Sequence, residues 1–143
     1  MKKKRINEMT LTFPSDSRNE SFARSAVTAF VAQLDPDTEE LADIRTAVSE
    51  AVTNCIVHGY RHTAGPITVQ TFLYDDRSVR IRIRDRGCGI ADVAQARQPL
   101  FTTDPGGERG GMGFAIMESF SDTLTVRSQP GRGTTVTMTR RLS

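Results

Sequence analysis

The chain has very little lysine, and this scarcity excludes two large classes of nucleotide-using protein. Its only lysines are Lys2, Lys3 and Lys4, which stand together near the start of the 143-residue sequence. P-loop NTPases and kinases of the eukaryotic type place a lysine on the β- and γ-phosphates of the nucleotide. With no lysine in the remaining sequence, any phosphate chemistry has to rest on a metal ion, backbone N–H groups and arginine.

Long apolar runs and cysteine clusters are also missing. No stretch approaches the roughly 20 apolar residues of a membrane span, and the basic N-terminal residues are not followed by the apolar segment of a signal peptide. The two cysteines, Cys55 and Cys88, stand alone, without CxxC or Cys/His ligand spacing. We therefore expect a reduced, cytoplasmic protein that does not engage a membrane.

Positive charge is not concentrated in the body of the chain. The net charge is +2, and the residues up to Arg5 supply four positive charges. A nucleic-acid module usually carries its positive charge on a folded face. The row formed by Arg80, Arg82 and Arg84 alternates with apolar residues and is typical of the solvated face of an antiparallel sheet. We expect a basic tail over residues 1–6, a single domain over 7–143, and no direct binding of nucleic acid.

The hydrophobic periodicity predicts an α+β two-layer sandwich. Helical spacing predicts helices over about 17–34, over the segment that ends at Gly59, and over Met112–Phe120. Period-two alternation predicts strands at Met9–Phe13, Pro66–Tyr74, Ser78–Arg84, Leu124–Arg127 and Thr134–Thr139. The irregular segment Ala91–Arg109 is long for a loop in a small domain, and such loops are often lids over a binding site.

A polar stripe on the second helix is the first candidate site. Glu50, Asn54 and His58 are four residues apart and share one helical face. Asn54 offers a neutral oxygen to Mg²⁺, which takes few protein ligands beside phosphate oxygens, and Glu50 is placed to accept a proton from an attacking hydroxyl. A chance polar stripe explains such spacing in isolation, and His58 fits a helix-terminal residue better than a catalyst.

Two glycine-containing segments complete the candidate site. Asp85 ends an apolar strand just before Gly87 and Gly89, where a carboxylate can accept a hydrogen bond from an exocyclic amine of adenine and the glycines admit a flat ring. In isolation this pattern is more often a turn that ends a strand.

The second segment precedes the third predicted helix. Gly110, Gly111 and Gly113 offer free N–H groups for an anion, and Arg109 stands beside them, able to reach a γ-phosphate. Thr134 enters the last strand and adds a hydroxyl near the base. Flexible loops have the same composition. The interpretation as a nucleotide site therefore rests on the order and spacing of all these segments together.

In this order the segments resemble the nucleotide-binding motifs of the GHKL ATPases, the superfamily of gyrase, MutL and the histidine kinases. Within it the chain is similar to the sporulation anti-sigma-F factors from about residue 7 to 140. The matching segments are Asn19–Arg24, Phe30–Pro36, Val48–Asn54, His58–Tyr60, Ala96–Thr103 and Gly111–Phe114. The resemblance implies a Bergerat-type domain, in which helices cover one face of a mixed, mostly antiparallel sheet, with an ATP lid at about 91–110.

The resemblance also implies an activity and its partners. It implies a homodimer that binds ATP or ADP with Mg²⁺, inhibits the sporulation sigma factor F and phosphorylates a serine of an anti-anti-sigma factor. By position, Glu50 is the catalytic base, Asn54 holds the metal, Arg109 serves the γ-phosphate, and Glu20 and Arg24 bind partners. The remaining nucleotide-binding residues that it implies are Asp85, Gly87, Gly89, Thr102, Thr103, Gly111, Met112, Gly113 and Thr134.

Two alternatives remain open at this point. An anti-sigma kinase of the general stress response carries the same motifs, although the Phe30–Pro36 and Gln98–Thr103 segments favour the sporulation type. A nucleotide-gated sigma-binding module with little catalysis is the second alternative, and the presence of Glu50 argues against it, because a pure binding module needs no base. For Glu20 and Arg24, a simple ion pair within the helix is the plain alternative to a role in partner binding.

Overall fold

The computed structural model describes residues 2–61, 63–98 and 113–143, which form one antiparallel sheet with helices packed against it. The elements are β1 (Arg5–Pro14), α1 (Arg18–Val31), α2 (Thr38–Asn54), β2 (Pro66–Tyr74), β3 (Ser78–Asp85), α3 (Val93–Ala96), α4 (Gly113–Ser119), β4 (Thr123–Gln129) and β5 (Gly133–Arg141). The strand order is β1-β2-β3-β5-β4. All four pairings between these strands are antiparallel, so the predicted α+β sandwich is confirmed with a fully antiparallel sheet over the described strands.

Alternation along the central strands separates a packed face from an open face. Val79, Ile81 and Ile83 of β3 are buried under the helices, whereas the arginines between them lie on the opposite face. There the Arg82 guanidinium lies 5.8 Å from the centre of the Phe72 ring. The arginine row therefore lines the open face of the sheet, as its alternation predicted.

Helices α1 and α2 form the other half of the core. Their shared apolar stripe is fully or nearly fully buried and consists of Ala23, Val27, Val31, Ile44, Ala47, Val48, Ala51 and Val52. The start of α2 is fixed by a capping box, in which Asp37 and Glu40 each accept a hydrogen bond from the other's backbone N–H. These contacts hold α2, which carries Glu50 and Asn54, in one orientation on the sheet.

Three boundaries differ from the sequence-based expectation. Strand β1 begins at Arg5, inside the segment expected as a tail, because Lys4 and Asp75 exchange hydrogen bonds at the strand end. The predicted end of the second helix at Gly59 is a turn of π-helix, Cys55–Gly59, that follows α2. Helix α3 lies within the segment expected to be irregular, and the Asp92 side chain caps it. The hydrogen bonds between Lys4 and Asp75 and the Asp92 cap, which periodicity does not record, extend the regular structure in the first and third cases.

Glu40 also secures the C-terminus of the chain. Its carboxylate accepts a hydrogen bond of 2.8 Å from the backbone N–H of Ser143, and the residue is only 6% exposed. Hydrogen bonds from the N–H groups of Ser143 and Asp37 lower the pKa of the Glu40 carboxyl. The charged form of Glu40 is thus favoured in the folded state, which makes part of the stability dependent on pH.

Replacing Glu40 by glutamine is expected to lower the free energy of unfolding by about 1.5–3 kcal/mol at pH 7, the contribution of hydrogen bonds to a charged acceptor. Because the folded-state pKa lies below the unfolded one, the stabilisation is complete above the ordinary glutamate pKa and is lost progressively as the pH falls from there through the lower folded-state pKa. Urea unfolding of both proteins between pH 3 and 7 measures this. The exposed neighbour Glu39→Gln controls for the lost charge; a difference between wild type and Glu40→Gln that does not shrink at low pH would contradict the assignment.

Candidate functional site

A cavity of about 240 Å³ opens between the end of α2, the segment after β3 and the start of β5. Six candidate site residues from the sequence line it: Asn54, His58, Asp85, Gly89, Gly113 and Thr134. They come from positions up to 80 residues apart, and the register of β3 with β5 places Asp85 directly opposite Thr134. The cavity is therefore built where the predicted helix and two strands end close to one another.

Asp85 forms the polar floor of the cavity. The residue is 4% exposed, and one carboxylate oxygen accepts a hydrogen bond of 2.9 Å from the N–H of Gly87. Burial raises the pKa of the Asp85 carboxyl, while hydrogen bonds from Gly87, Cys55 and Thr134 oppose that rise. A buried carboxylate of this kind gains much from one further donor, such as the exocyclic amine of a purine.

The turn after Asp85 is packed on the end of the second helix. The N–H of Cys88 donates to the carbonyl of Gly59 at 2.8 Å. A Cβ atom on Gly87 would lie 2.1 Å from that same carbonyl oxygen, so only glycine permits this approach of two backbones. The close contact brings Asp85 against the π-helical turn and defines one wall of the cavity.

Asn54 and Gly113 meet at another wall. A Cβ atom on Gly113 would lie 2.9 Å from the amide oxygen of Asn54, so the start of α4 rests directly on that side chain. Within the described ranges, no three or more His, Cys, Asp and Glu side chains cluster as metal ligands. A single amide oxygen suits Mg²⁺ that takes its other ligands from phosphate and water. The residues present thus fit a Mg-nucleotide, with Asn54 as the side chain that would hold the ion.

Glu50 lies one helical turn before Asn54 and is buried at 9% exposure. Among the described residues that line the cavity, Glu50 is not included, whereas Ala51 and Asn54 of the same helix are. The preceding residue, Ser49, donates a hydrogen bond from its hydroxyl to the carboxylate of Glu20 in α1. The candidate base therefore follows a residue that is hydrogen-bonded to α1 and precedes the cavity-lining Asn54 by one helical turn.

The predicted partner-binding residues lie on α1, away from the cavity. Glu20 and Arg24 form an ion pair at 3.5 Å, with side chains that are 19% and 39% exposed. Phe22, on the same helix, is 54% exposed, which is unusual for a large aromatic side chain. The ion pair that was the plain alternative to partner binding is present, and the same carboxylate oxygen, Oε1 of Glu20, also accepts a hydrogen bond from the Ser49 hydroxyl.

Several predicted residues lie outside the part of the chain that the structure describes. They are Thr102, Thr103, Arg109, Gly111 and Met112, together with residues 99–110 of the expected lid. The first part of that segment is described: α3 leads to Arg97, whose guanidinium pairs with Glu118 of α4 at 3.3 Å.

Sequence reasoning missed two residues that support the cavity. The Tyr60 hydroxyl accepts a hydrogen bond of 2.7 Å from the N–H of Arg86 and donates to the carbonyl of Pro66. Burial raises the pKa of the Tyr60 hydroxyl. The Ser128 hydroxyl is 2.9 Å from that of Thr134 and accepts a hydrogen bond of 2.7 Å from the N–H of Ile90. Tyr60 falls in a matching segment of the resemblance, whereas no signal in the sequence marked Ser128.

Replacing Asp85 by asparagine is expected to weaken ADP binding about 10- to 100-fold, since a hydrogen bond to a buried charged acceptor contributes about 1.5–3 kcal/mol. Asparagine offers one acceptor oxygen where several donors converge, so an amide hydrogen must face one of them. Isothermal titration calorimetry measures the affinity. Asp75→Asn, at the exposed far end of the β2–β3 hairpin, is the control; unchanged ADP binding by Asp85→Asn would refute the adenine assignment.

Comparison with known proteins places this geometry in a family. Residues 13–140 match the model of the histidine kinase-like ATPase domain. The anti-sigma F factor of Caldanaerobacter subterraneus subsp. tengcongensis is 57% identical over 134 residues, which cover 94% of this chain and 93% of that protein. The anti-sigma F factor of Geobacillus stearothermophilus is 55% identical over 91% of this chain and 89% of its own length.

Solved structures agree on the fold. The RsbU and RsbW domains of a Mycobacterium tuberculosis protein match with a TM-score of 0.70 and 25% identity, over 96% of this chain and 32% of that longer chain. A histidine kinase domain of Erythrobacter litoralis matches with a TM-score of 0.58 at 18% identity, over 86% of this chain and 60% of its own, a likeness of fold alone. Within residues 2–61, 63–98 and 113–143, no helix has both the length and the apolar character of a membrane span.

Proposed function

This chain belongs to the histidine kinase-like ATPase family and, within it, to the anti-sigma F factors, and from that premise we propose that it is an ATP-dependent protein serine kinase and sigma inhibitor. It binds and inhibits the sporulation sigma factor F. With Mg-ATP it phosphorylates a serine of its anti-anti-sigma antagonist. We further propose that it acts as a homodimer in the cytoplasm.

The kinase activity in this proposal rests on the position of Glu50 in the sequence of α2. Asn54, one turn further along α2, lines the cavity, and Ser49, one residue earlier, is bonded to α1. A buried carboxylate one turn from a nucleotide cavity, and next to a residue hydrogen-bonded to α1, suits a base for a hydroxyl presented by a partner docked on that helix. A protein that used nucleotide only to switch between binding states would need no carboxylate there.

Each residue then has a physical task. Asp85 accepts the exocyclic amine of adenine, the glycine turn admits the ring, and Asn54 holds Mg²⁺ near the phosphates. Mg-ATP supplies the phosphoryl group and neutralises its charge. Glu50 accepts the proton of the partner's serine as that hydroxyl oxygen bonds to the γ-phosphorus and the bond to ADP breaks. Thr102, Thr103, Arg109, Gly111, Met112 and Gly113 are proposed to enclose the phosphates, with the lid over about 91–110.

Glu20 and Arg24 are proposed as contacts for the protein partners. Both are partly exposed on α1, and the exposed Phe22 ring lies on the same helix. Exposed aromatic side chains and arginine are both enriched in protein–protein interfaces. A partner docked there would present its serine close to the Ser49–Glu50 turn.

Transfer of label tests the proposed function. The protein is incubated with γ-labelled ATP, Mg²⁺ and the cognate anti-anti-sigma factor, and the labelled amino acid is identified. We expect label on a serine of the partner, and binding of the sigma factor in a separate pull-down. ATP binding and sigma binding without any label would instead mean a nucleotide-gated sigma-binding module, and label transfer without sigma factor F binding would point to another anti-sigma kinase.

A further inference from the structure

Glu20 makes a contact that its role as a partner residue does not explain. Its carboxylate accepts a hydrogen bond from the Ser49 hydroxyl of α2 while it pairs with Arg24 on its own helix. The side chain is only 19% exposed, less than half the exposed fraction of Arg24. Glu20 therefore reaches between the two helices, and Arg24 is the more exposed member of the pair.

The contact joins α1 to the turn of α2 that holds the candidate base. Ser49 and Glu50 are consecutive residues of a continuous helix, Thr38–Asn54, so their relative position is fixed by the helix itself. The apolar stripe between the helices determines how close they pack. A hydrogen bond is directional, and it sets the register and rotation of α1 against α2 at this turn.

We propose that Ser49 is a positioning residue for phosphotransfer, which acts through Glu20. This inference rests on the proposed function and deepens it. The bond from Ser49 holds α1 so that a partner docked on α1 presents its serine hydroxyl to Glu50. Because transfer depends on alignment of the reacting atoms, an error of about 1 Å in docking is enough to lower the rate about 10²-fold.

The neighbouring hydroxyl on the same helix behaves differently. Thr46 donates its hydroxyl hydrogen to the carbonyl of Ala42, within α2, at 3.0 Å. Serine and threonine in the interior of a helix usually bond back in this way, and alanine is the better helix former at such positions. Alanine at either position favours the helix, and only the replacement of Ser49 removes a link to α1.

The test compares Ser49→Ala, Ser49→Thr and Thr46→Ala in single-turnover transfer of label to the partner's serine, with ATP affinity and Tm measured on each. We expect Ser49→Ala to lower the transfer rate about 10- to 100-fold, with ATP affinity within about twofold of wild type. Ser49→Thr keeps a hydroxyl and should restore most of the rate. Thr46→Ala should match wild type.

A double variant shows whether the effect passes through Glu20. If it does, adding Ser49→Ala to Glu20→Ala causes no further loss of rate. The inference is overturned if Ser49→Ala transfers label at the wild-type rate, or if its ATP affinity falls in step with its rate, which would mean a general distortion of the domain. Failure of the proposed function is a separate outcome, since wild type itself would then leave the partner unlabelled.

Discussion

Replacement of Glu50 by glutamine is expected to lower the rate of phosphotransfer to the partner's serine about 10²- to 10⁴-fold, the contribution typical of a positioned general base. Glutamine has nearly the same shape and cannot accept the proton. The residue is buried, so its surroundings keep the side chain in place. Because Asp85 and Asn54 rather than Glu50 line the cavity, ADP affinity is expected to stay within about twofold.

Single-turnover transfer of label, together with calorimetric titration of ADP, separates these two effects. Glu39→Gln, exposed on the first turn of the same helix, removes an equal charge and should transfer label at the wild-type rate. Equal losses of ADP affinity and of rate in Glu50→Gln would mean that Glu50 shapes the site. A wild-type rate in this variant would exclude Glu50 as the base.

Replacement of Gly87 by alanine is expected to weaken nucleotide binding strongly, because it displaces the backbone of the turn beside the cavity. The added methyl group would lie 2.1 Å from the Gly59 carbonyl oxygen. The nearest atoms all belong to the backbone, so movement of a side chain cannot relieve the clash. The turn that follows Asp85 must shift. We expect ADP affinity to fall at least 10-fold and the free energy of unfolding to fall by about 1–3 kcal/mol, the usual cost of overpacking.

A second glycine provides the matched control for this prediction. Gly131 has a positive φ of 78°, and a Cβ atom there would meet nothing within 4 Å. Gly131→Ala therefore carries only the conformational cost of an alanine in that region, about 1–2 kcal/mol, and should bind ADP normally. ADP titration and thermal unfolding of both variants test this prediction. Equal ADP affinities of Gly87→Ala and Gly131→Ala would show that the contact of Gly87 with Gly59 does not shape the site.

Periodicity predicted the elements that have one polar and one apolar face. The β2–β3 hairpin and the β4–β5 hairpin were expected within two residues of their observed ends, because alternation of apolar side chains is imposed by burial of one sheet face. The start of β1 at Arg5 was not expected. Its residues Arg5–Glu8 are exposed, so burial leaves no pattern there, and pairing with β2 alone makes them a strand.

The candidate site was predicted only in part, because residue types are local features of the sequence and their arrangement in space is not. Asn54, Asp85, Gly89 and Thr134 were singled out by spacing and composition, and they line one cavity in the structure. Their separation in the sequence says nothing about distance in space. The antiparallel register that sets Asp85 opposite Thr134, and the backbone contact between Gly87 and Gly59, bring them together.

The sequence by itself determined the class of fold, the family and the chemical types at the site, because side-chain chemistry and hydrophobic period are local properties that each residue carries with it. Only the tertiary structure decided that Glu20 turns inward to Ser49, that Tyr60 supports the turn after Asp85, and that Glu50 is buried one turn from the cavity-lining Asn54. Those relations depend on how α1 rotates against α2 and how β3 ends against the π-helical turn. Packing of distant segments sets them, and a linear pattern of residues does not contain that information.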